Sequence, residues 1–505
     1  MSKIVLLFFA PDTYVEPCYY SQLAEEFKKF NHNILAVNTF KNKNDTISSP
    51  ICPKIEDRII NFKPNLIISF NNVSSEKIYQ DTNCPIFILE SDFYDYFPNK
   101  ELIKKYQDKI YIGIFSKYRF KLWYKTLSFL PREKFVYFKN STSLTTSSGQ
   151  VQNINISIIA TVLGLNPKNA VVQSLVRNYG NFEATAKTAH IIKKAYRDLN
   201  LVDTQDYAFL NSSAIDLFHY ISYLKRPYLL NNLADLGLTV SGKFYDLKHI
   251  FSGLPDFALC LNPEEVITKQ ANEDFYNRSK ISINAHFAHN IDNEEVSGYS
   301  WRVCDIMATN ACLVSTNCRA IKEDFGKWVD IPMFSDRHSV YELCKKLLED
   351  DQWRSDISLR SQAAIIEGKY RFSDRIEEME EIFNLKQKIS SDKSGYCEFL
   401  LPTKFISESK AIINHKTTAD PKPIELTKNN DDDISSASSI KNSIITLLFS
   451  KIFESSEEAK IFKDWSAINQ HHFLSPPIKQ GSKLKTWYRK RRREKKILKR
   501  WRKSR

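Results

Sequence analysis

Short, mainly apolar runs of strand length recur between helical stretches through the first 140 residues, and this alternation restricts the chain more than any other feature. The runs at residues 4–9, 66–70, 86–89 and 110–115 are too short for helices and lack a regular polar alternation. That is the pattern of strands buried on both faces of a parallel sheet. Between the first two runs lie a helical stretch at 20–30 and an extended one at 34–37, as a doubly wound unit requires.

Residues 141–152 are rich in Ser and Thr, lack periodicity and read as a linker, after which 154–161 opens a new apolar strand. Residues 171–236 read as mostly helical, broken at Pro227, and 238–241 resume extended structure. The most regular part spans 280–388: a strand at 281–285, a polar loop, a helix at 299–309, a strand at 312–315, a short helix at 321–325, a strand at 329–334, then closing helices. This predicts a second doubly wound domain. The expected division is an N-terminal domain over 1–142, a C-terminal domain over 153–388, a low-complexity linker over 389–442 and an extension over 443–505. A small helical element is expected at 443–462.

A chain of 505 residues exceeds what one hydrophobic core usually serves. Its net charge of +13 invites a nucleic-acid reading until the charge is located. Between Lys483 and Arg505 stand 14 Lys or Arg against one acid, Glu494, while the other 482 residues hold 58 basic and 58 acidic side chains. The body is neutral. Nine scattered cysteines form no C-x-x-C pair and no Cys/His cluster of zinc-ligand spacing, so neither a disulfide framework nor a metal site is expected, and a cytoplasmic setting is. The run at 4–10 ends at Pro11 and Asp12 without a small-residue cleavage site and reads as a first strand rather than a leader. No stretch reaches the roughly 18 apolar residues of a spanning helix.

The segment 289–310, HNIDNEEVSGYSWRVCDIMATN, concentrates the chemistry. Ser297 and Ser300 are plausible helix caps, and Gly298 permits close approach of a ligand to the backbone. A helix beginning there would offer free N–H groups to a diphosphate. Arg302 and Asp305 are three apart and share a face, so a cation for phosphate and a carboxylate for ribose hydroxyls fit one cleft; a local ion pair on a solvated helix is the alternative.

Here the sequence resembles GT-B fold glycosyltransferases, in particular the group related to spore-maturation glycosyltransferases. That group carries S-K-I-x-L-N-x-H, a glycine-containing loop, R-x-F-E-A-x-A-x-G and a strand. This chain has Ser279-Lys280-Ile281-Ser282-Ile283-Asn284-Ala285-His286, then Gly298, then Arg302-Val303-Cys304-Asp305-Ile306-Met307-Ala308-Thr309-Asn310 and a strand. Asp305 replaces the usual Glu and Asn310 the frequent Gly, and Ser297 stands where an E-x7-E motif would have its first Glu. The likeness covers about 224–383. It implies two facing Rossmann-like domains and transfer of a sugar from a nucleoside diphosphate donor, held by the C-terminal domain, to an acceptor held by the N-terminal one. It also implies catalysis by positioning and by stabilisation of the leaving diphosphate, with no cofactor and no essential metal. Arg226 and Lys280 are further phosphate candidates, or plain surface cations.

A general base should come from the cleft edge of the N-terminal domain. Asp92, in Glu90-Ser91-Asp92 after the strand 86–89, is the first choice and Glu16 the second; both also fit ordinary loop caps. His286 and His289 follow the strand 281–285, where an imidazole can meet donor sugar or phosphate or be a satisfied core histidine. The aromatic cluster 93–97 reads as a packing patch or a sugar platform. Between Lys483 and Arg505, Leu484, Trp487, Tyr488, Leu498 and Trp501 fall roughly on one side of a helix, interrupted by Arg491 and Glu494, which suits docking to an anionic membrane surface or membrane complex. An unstructured basic terminus and nucleic-acid binding are its competitors. The reading is a metal-independent glycosyltransferase of polysaccharide or lipopolysaccharide biosynthesis, acting on a surface-glycan, lipid-linked or protein acceptor. A non-catalytic GT-B-like scaffold is the alternative.

Overall fold

The computed structural model describes residues 1–11, 13–41, 45–91, 97–163, 227, 230–245, 255–262, 266–285, 298–335, 337–385 and 395–402. The runs read as strands build two parallel sheets. The first contains β1 (Lys3–Phe8), β2 (Asn33–Asn38), β3 (Leu66–Phe70), β4 (Ile86–Leu89), β5 (Ile110–Ile114) and β6 (Phe135–Tyr137), in the order β2-β1-β3-β4-β5-β6. The second contains β7 (Ile154–Ile159), β9 (Leu238–Ser241), β11 (Ser279–Asn284), β12 (Cys312–Thr316) and β13 (Met333–Phe334), in the order β9-β7-β11-β12-β13. A two-stranded parallel ribbon pairs β8 (Val162–Leu163) with β10 (Phe244–Tyr245).

Both sheets run outward in opposite directions from their first strand, so each has a switch point, at β1/β3 and at β7/β11. Ligands of open α/β sheets bind at such points, beyond the carboxyl ends of the strands. In β1, Ile4, Leu6 and Phe8 point into one core with helix Cys18–Lys29, while Val5 and Leu7 enter a second core on the other face. This two-sided burial is what an apolar run without alternation encodes.

The chain departs from the expected division at both ends of the second domain. Helix Phe372–Ile382 buries Phe372, Ile376 and Met379 against Ile4, Leu6 and Phe27 of the first domain. After it, β14 (Cys397–Leu400) pairs in parallel with β2, Cys397 beside Ile34, and becomes the edge of the first sheet. The domain boundary at 388 and the start of a linker at 389 are therefore corrected. C-E-F-L is too short to announce itself beside a low-complexity passage, and its register comes from a partner more than 350 residues away. The start of the 141–152 segment is likewise no solvated linker, because Ser141, Thr142 and Leu144 are fully buried. Thr142 joins Arg371 by a parallel bridge.

The strand expected at 329–334 shortens to Met333–Phe334, and the helix expected at 299–309 to Arg302–Met307. Most of 171–236 and all of 443–505 lie outside the described residues; the former ends in a short 3-10 helix, Asn231–Leu236. All nine cysteines are free thiols. Among the described residues no helix is long and apolar enough to cross a membrane.

Candidate active site

The switch point of the second sheet carries a buried polar network where its flanking strands are apolar. Asn284, the last residue of β11, is fully buried and donates its Nδ2 to Ser315 Oγ on the adjacent β12 at 2.9 Å. Its Oδ1 faces the Ser300 hydroxyl at 3.4 Å and Arg302 Nη1 at 3.5 Å. Arg302 is half-buried and makes no ion pair among the described residues. Its guanidinium also reaches Tyr276, at the end of helix Lys269–Asn277. Burial pushes that phenol up and the Arg302 charge opposes the shift. The guanidinium is thus held between an amide and a phenol, without a carboxylate within salt-bridge distance among the described residues.

Asp305 sits one turn further along the same helix and faces a different way from the one expected. It is only 6% exposed. Its Oδ1 accepts the Thr142 hydroxyl at 2.6 Å and Gln22 Nε2 at 3.3 Å, so it binds the first domain and the crossover rather than standing open to a ribose. Burial raises its carboxyl to about 6; hydrogen bonds from Thr142 and Gln22, then the Arg302 charge, pull the other way. Its carboxyl thereby joins three segments of the chain.

Gly298 does permit a close approach, but the approaching group is protein. A Cβ there would lie 2.9 Å from Ser116 Cβ, at the carboxyl end of β5. Ser300 does not cap the helix. The cap residue is Trp301, without a side-chain hydrogen bond, and Ser300 turns to Asn284. The helix has six residues, and the N–H groups of Val303 and Asp305 are bonded to Ser300 and Trp301. Its first turn therefore supplies less to an anion than the sequence suggested.

Lys280 lies near the amino end of β11, where it acts on Asp351, at the opposite edge of the sheet from Asn284. It does not converge with Arg302. Glu16 lies on the exposed loop before helix Cys18–Lys29, with its carboxyl raised by desolvation and then by Glu25. Arg226, His286, His289, Asp92 and residues 93–96 lie outside the described residues. Glu90, two residues before Asp92, is fixed by Arg119 and by Trp123 Nε1 at 2.9 Å and is 2% exposed.

Several residues went unread in the sequence. Gln22, Thr142, Tyr276 and Ser315 carry the network, and Asn71 and Asn72 turn the chain beyond β3 with φ of 51° and 62°. Asn71 Oδ1 accepts the Ser91 N–H at 2.7 Å and so shapes the segment that leads to Asp92. The Asn-Asn pair after an apolar strand was a readable turn signal. Gln22 and Thr142 had none, since their partners are 283 and 163 residues away.

The carboxyl ends of the two sheets meet. Ser116 packs on Gly298, Lys243, two residues beyond β9, reaches Pro11 O and Thr13 Oγ1 beyond β1, and Lys117 pairs with Asp324 at 3.2 Å. Two doubly wound domains facing each other in this way constitute the GT-B class of α/β fold.

No protein-family model matches the chain, and no curated protein matches it. Among solved structures, Anabaena HepE in complex with UDP-glucose covers 75% of this chain and 100% of its own, at 10% identity and a TM-score of 0.45. Sucrose-phosphate synthase from Thermosynechococcus elongatus covers 76% and 99%, at 8% identity and a TM-score of 0.46. A glycosyltransferase from Rickettsia africae covers 77% and 99%, at 10% identity and a TM-score of 0.40. Values this low assign neither a substrate nor a role to any residue here.

Proposed function

We propose that the protein is a glycosyltransferase that takes a sugar from a nucleoside diphosphate donor. The observation that carries this reading is Arg302: a half-buried cation without an ion-pair partner among the described residues, held by Asn284 and Tyr276 at the switch point of the second sheet. A diphosphate there gains a charge-assisted contact as the sugar bond breaks and charge grows on the leaving group. In this reading no metal is required, and EDTA leaves turnover unchanged. The acceptor, a surface glycan, lipid-linked sugar or protein, meets the first sheet's edge, where Asp92 or Glu16 serves as base. The segment from Lys483 to Arg505 places the enzyme on the anionic inner face of the cytoplasmic membrane.

The test is thermal stabilisation by UDP, GDP, ADP and dTDP and their sugar esters, since a ligand selective for the folded state raises its stability. A selective shift that Arg302→Ala abolishes supports the reading. No shift with any member overturns it in favour of the scaffold. The scaffold has one observation of its own: Asp305 and Gly298 are both engaged by the first domain, at positions a donor would need.

A further inference from the structure

Gln22, Thr142 and Asp305 form a buried polar node in the junction between the two domains. Gln22 comes from helix Cys18–Lys29 of the first domain, Thr142 from the crossover between domains and Asp305 from helix Arg302–Met307 of the second. Gln22 and Thr142 are fully buried and Asp305 nearly so. Gln22 Nε2 donates to Asp305 Oδ1 at 3.3 Å and to Cys18 Sγ at 3.2 Å, while its Oε1 accepts the Ser143 N–H at 2.5 Å. The Thr142 hydroxyl donates to Asp305 at 2.6 Å and accepts the Leu144 N–H at 3.0 Å.

Apolar contacts are non-directional and let two faces slide. A buried hydrogen-bonded node does not, because any rotation leaves donors or a carboxylate unpaired in a low-dielectric setting. Around this node the junction is aromatic and apolar: Tyr19 on Trp301, and Phe372 against Tyr19 at 5.3 Å. Directional restraint is shared with the bond from Asn140 Nδ2 to Tyr299 O at 2.6 Å and with the pair Lys117–Asp324, and the node adds to it the buried carboxyl of Asp305. Asp305 is one helical turn from Arg302, so fixing the first against the N-terminal domain also fixes the second relative to the opposite sheet edge.

We infer that the Gln22–Thr142–Asp305 node is the pivot setting the angle between the two domains, with Asp305 a positioning residue for Arg302 rather than a ligand of the donor. The consequence for catalysis rests on the transferase reading; the mechanical role does not.

The test uses the full chain with Thr142→Val, Gln22→Leu and Asp305→Asn, compared by small-angle X-ray scattering, urea unfolding and the nucleotide panel. Thr142→Val and Gln22→Leu are expected to broaden the interdomain distance distribution. Each should lower the folding equilibrium constant roughly tenfold, with the double variant losing clearly less than the product, as members of one network do. Asp305→Asn, which keeps the acceptor oxygen, should retain the wild-type scattering profile. It should also hold the dissociation constant for the panel member that binds within about threefold, whereas Thr142→Val lowers turnover about tenfold at nearly unchanged KM, the split expected when alignment rather than binding is lost. Unchanged scattering in Thr142→Val and Gln22→Leu, or additive losses, overturns the pivot. Loss of nucleotide affinity in Asp305→Asn with scattering intact overturns the positioning role and returns Asp305 to the donor site. If the wild type binds no nucleotide, the transferase reading fails, and scattering and the double variant still decide the pivot.

Discussion

The indole of Trp301 lies over the phenol ring of Tyr19, with centroids 3.6 Å apart and ring planes 26° apart. One ring precedes the second domain's site helix and the other belongs to the first domain's first helix, so the stack joins both sheets at their facing edges. The Tyr19 hydroxyl is buried without a hydrogen-bond partner among the described residues. The pair therefore holds by its ring faces alone. Trp301→Ala should cost about 3 kcal/mol in urea unfolding, as the loss of a large packed aromatic does. Tyr19→Phe keeps the stack and removes an orphaned hydroxyl, so it should be neutral or stabilising by up to about 1 kcal/mol.

Asp305 makes stability depend on pH in a direction unusual for a carboxylate. Its folded value of about 6 lies above the ordinary 3.8, so between those values the folded state binds a proton that the unfolded chain has released. Stability therefore falls as pH rises through that window, and the cost is complete above it. A shift of that size corresponds to no more than about 3 kcal/mol. The neighbouring Cys18, Tyr19, Tyr276 and Cys304 are all raised by burial and stay neutral there, leaving Arg302 as the charge acting on the carboxylate. Asp305→Asn should be more stable than wild type at pH 7.5 and equal to it near pH 4. Urea midpoints across pH 4 to 8 check this, and parallel curves for the two proteins would refute it.

Gly298 and Ser116 give a suppressor test. Because the missing Cβ would lie 2.9 Å from Ser116 Cβ, Gly298→Ala must push the two sheet edges apart, at a cost of about 1–3 kcal/mol. Ser116→Gly, which also removes a buried hydroxyl without a partner among the described residues, should recover most of that loss in the double variant. Recovery below a third of the loss would place the strain elsewhere.

Much of the fold was legible because it rests on local pattern. Runs such as IVLLFF and LIISF are too short and too evenly apolar to be anything but strands of a covered sheet, and β1, β3 and β4 follow them within a residue. Arg302 was legible through its motif. The junction was not. Nothing in the Gln22 helix announces that its amide will meet Asp305, and the placing of Arg302 and Asp305 on one helical face correctly predicts proximity but not that their side chains serve opposite domains. Lys280 shows the same limit: the motif contains it, but strand direction sends it to the amino edge of the sheet, away from the site.

The strand β14 yields a prediction about the far end of the described chain. It pairs with β2 through four residues, Cys397 to Leu400, and Arg58 on the first domain reaches Glu398 at 2.8 Å. Removing it would uncover the backbone edge of β2 in a sheet whose neighbouring residues are fully buried. A chain ending at residue 394 should self-associate at micromolar concentration, as a long uncovered apolar edge does. Sedimentation of this truncation against one ending at 402 separates the effect of β14 from that of everything after it.

The proposed diphosphate contact of Arg302 is tested best by a conservative substitution. Arg302→Lys keeps the charge but loses the planar fork, so it cannot hold Asn284 Oδ1 and present two parallel N–H groups to a phosphate at once. If the guanidinium binds a diphosphate, the lysine variant should bind the stabilising nucleotide about tenfold more weakly, and Arg302→Ala more weakly still, as loss of a charge-assisted bidentate contact implies. If Arg302 serves only to pack the end of β11, both variants should lose stability without a change in the nucleotide-induced shift. Fold stability and ligand shift come from the same melting curves, and their separation tells an anion-binding arginine from a structural one.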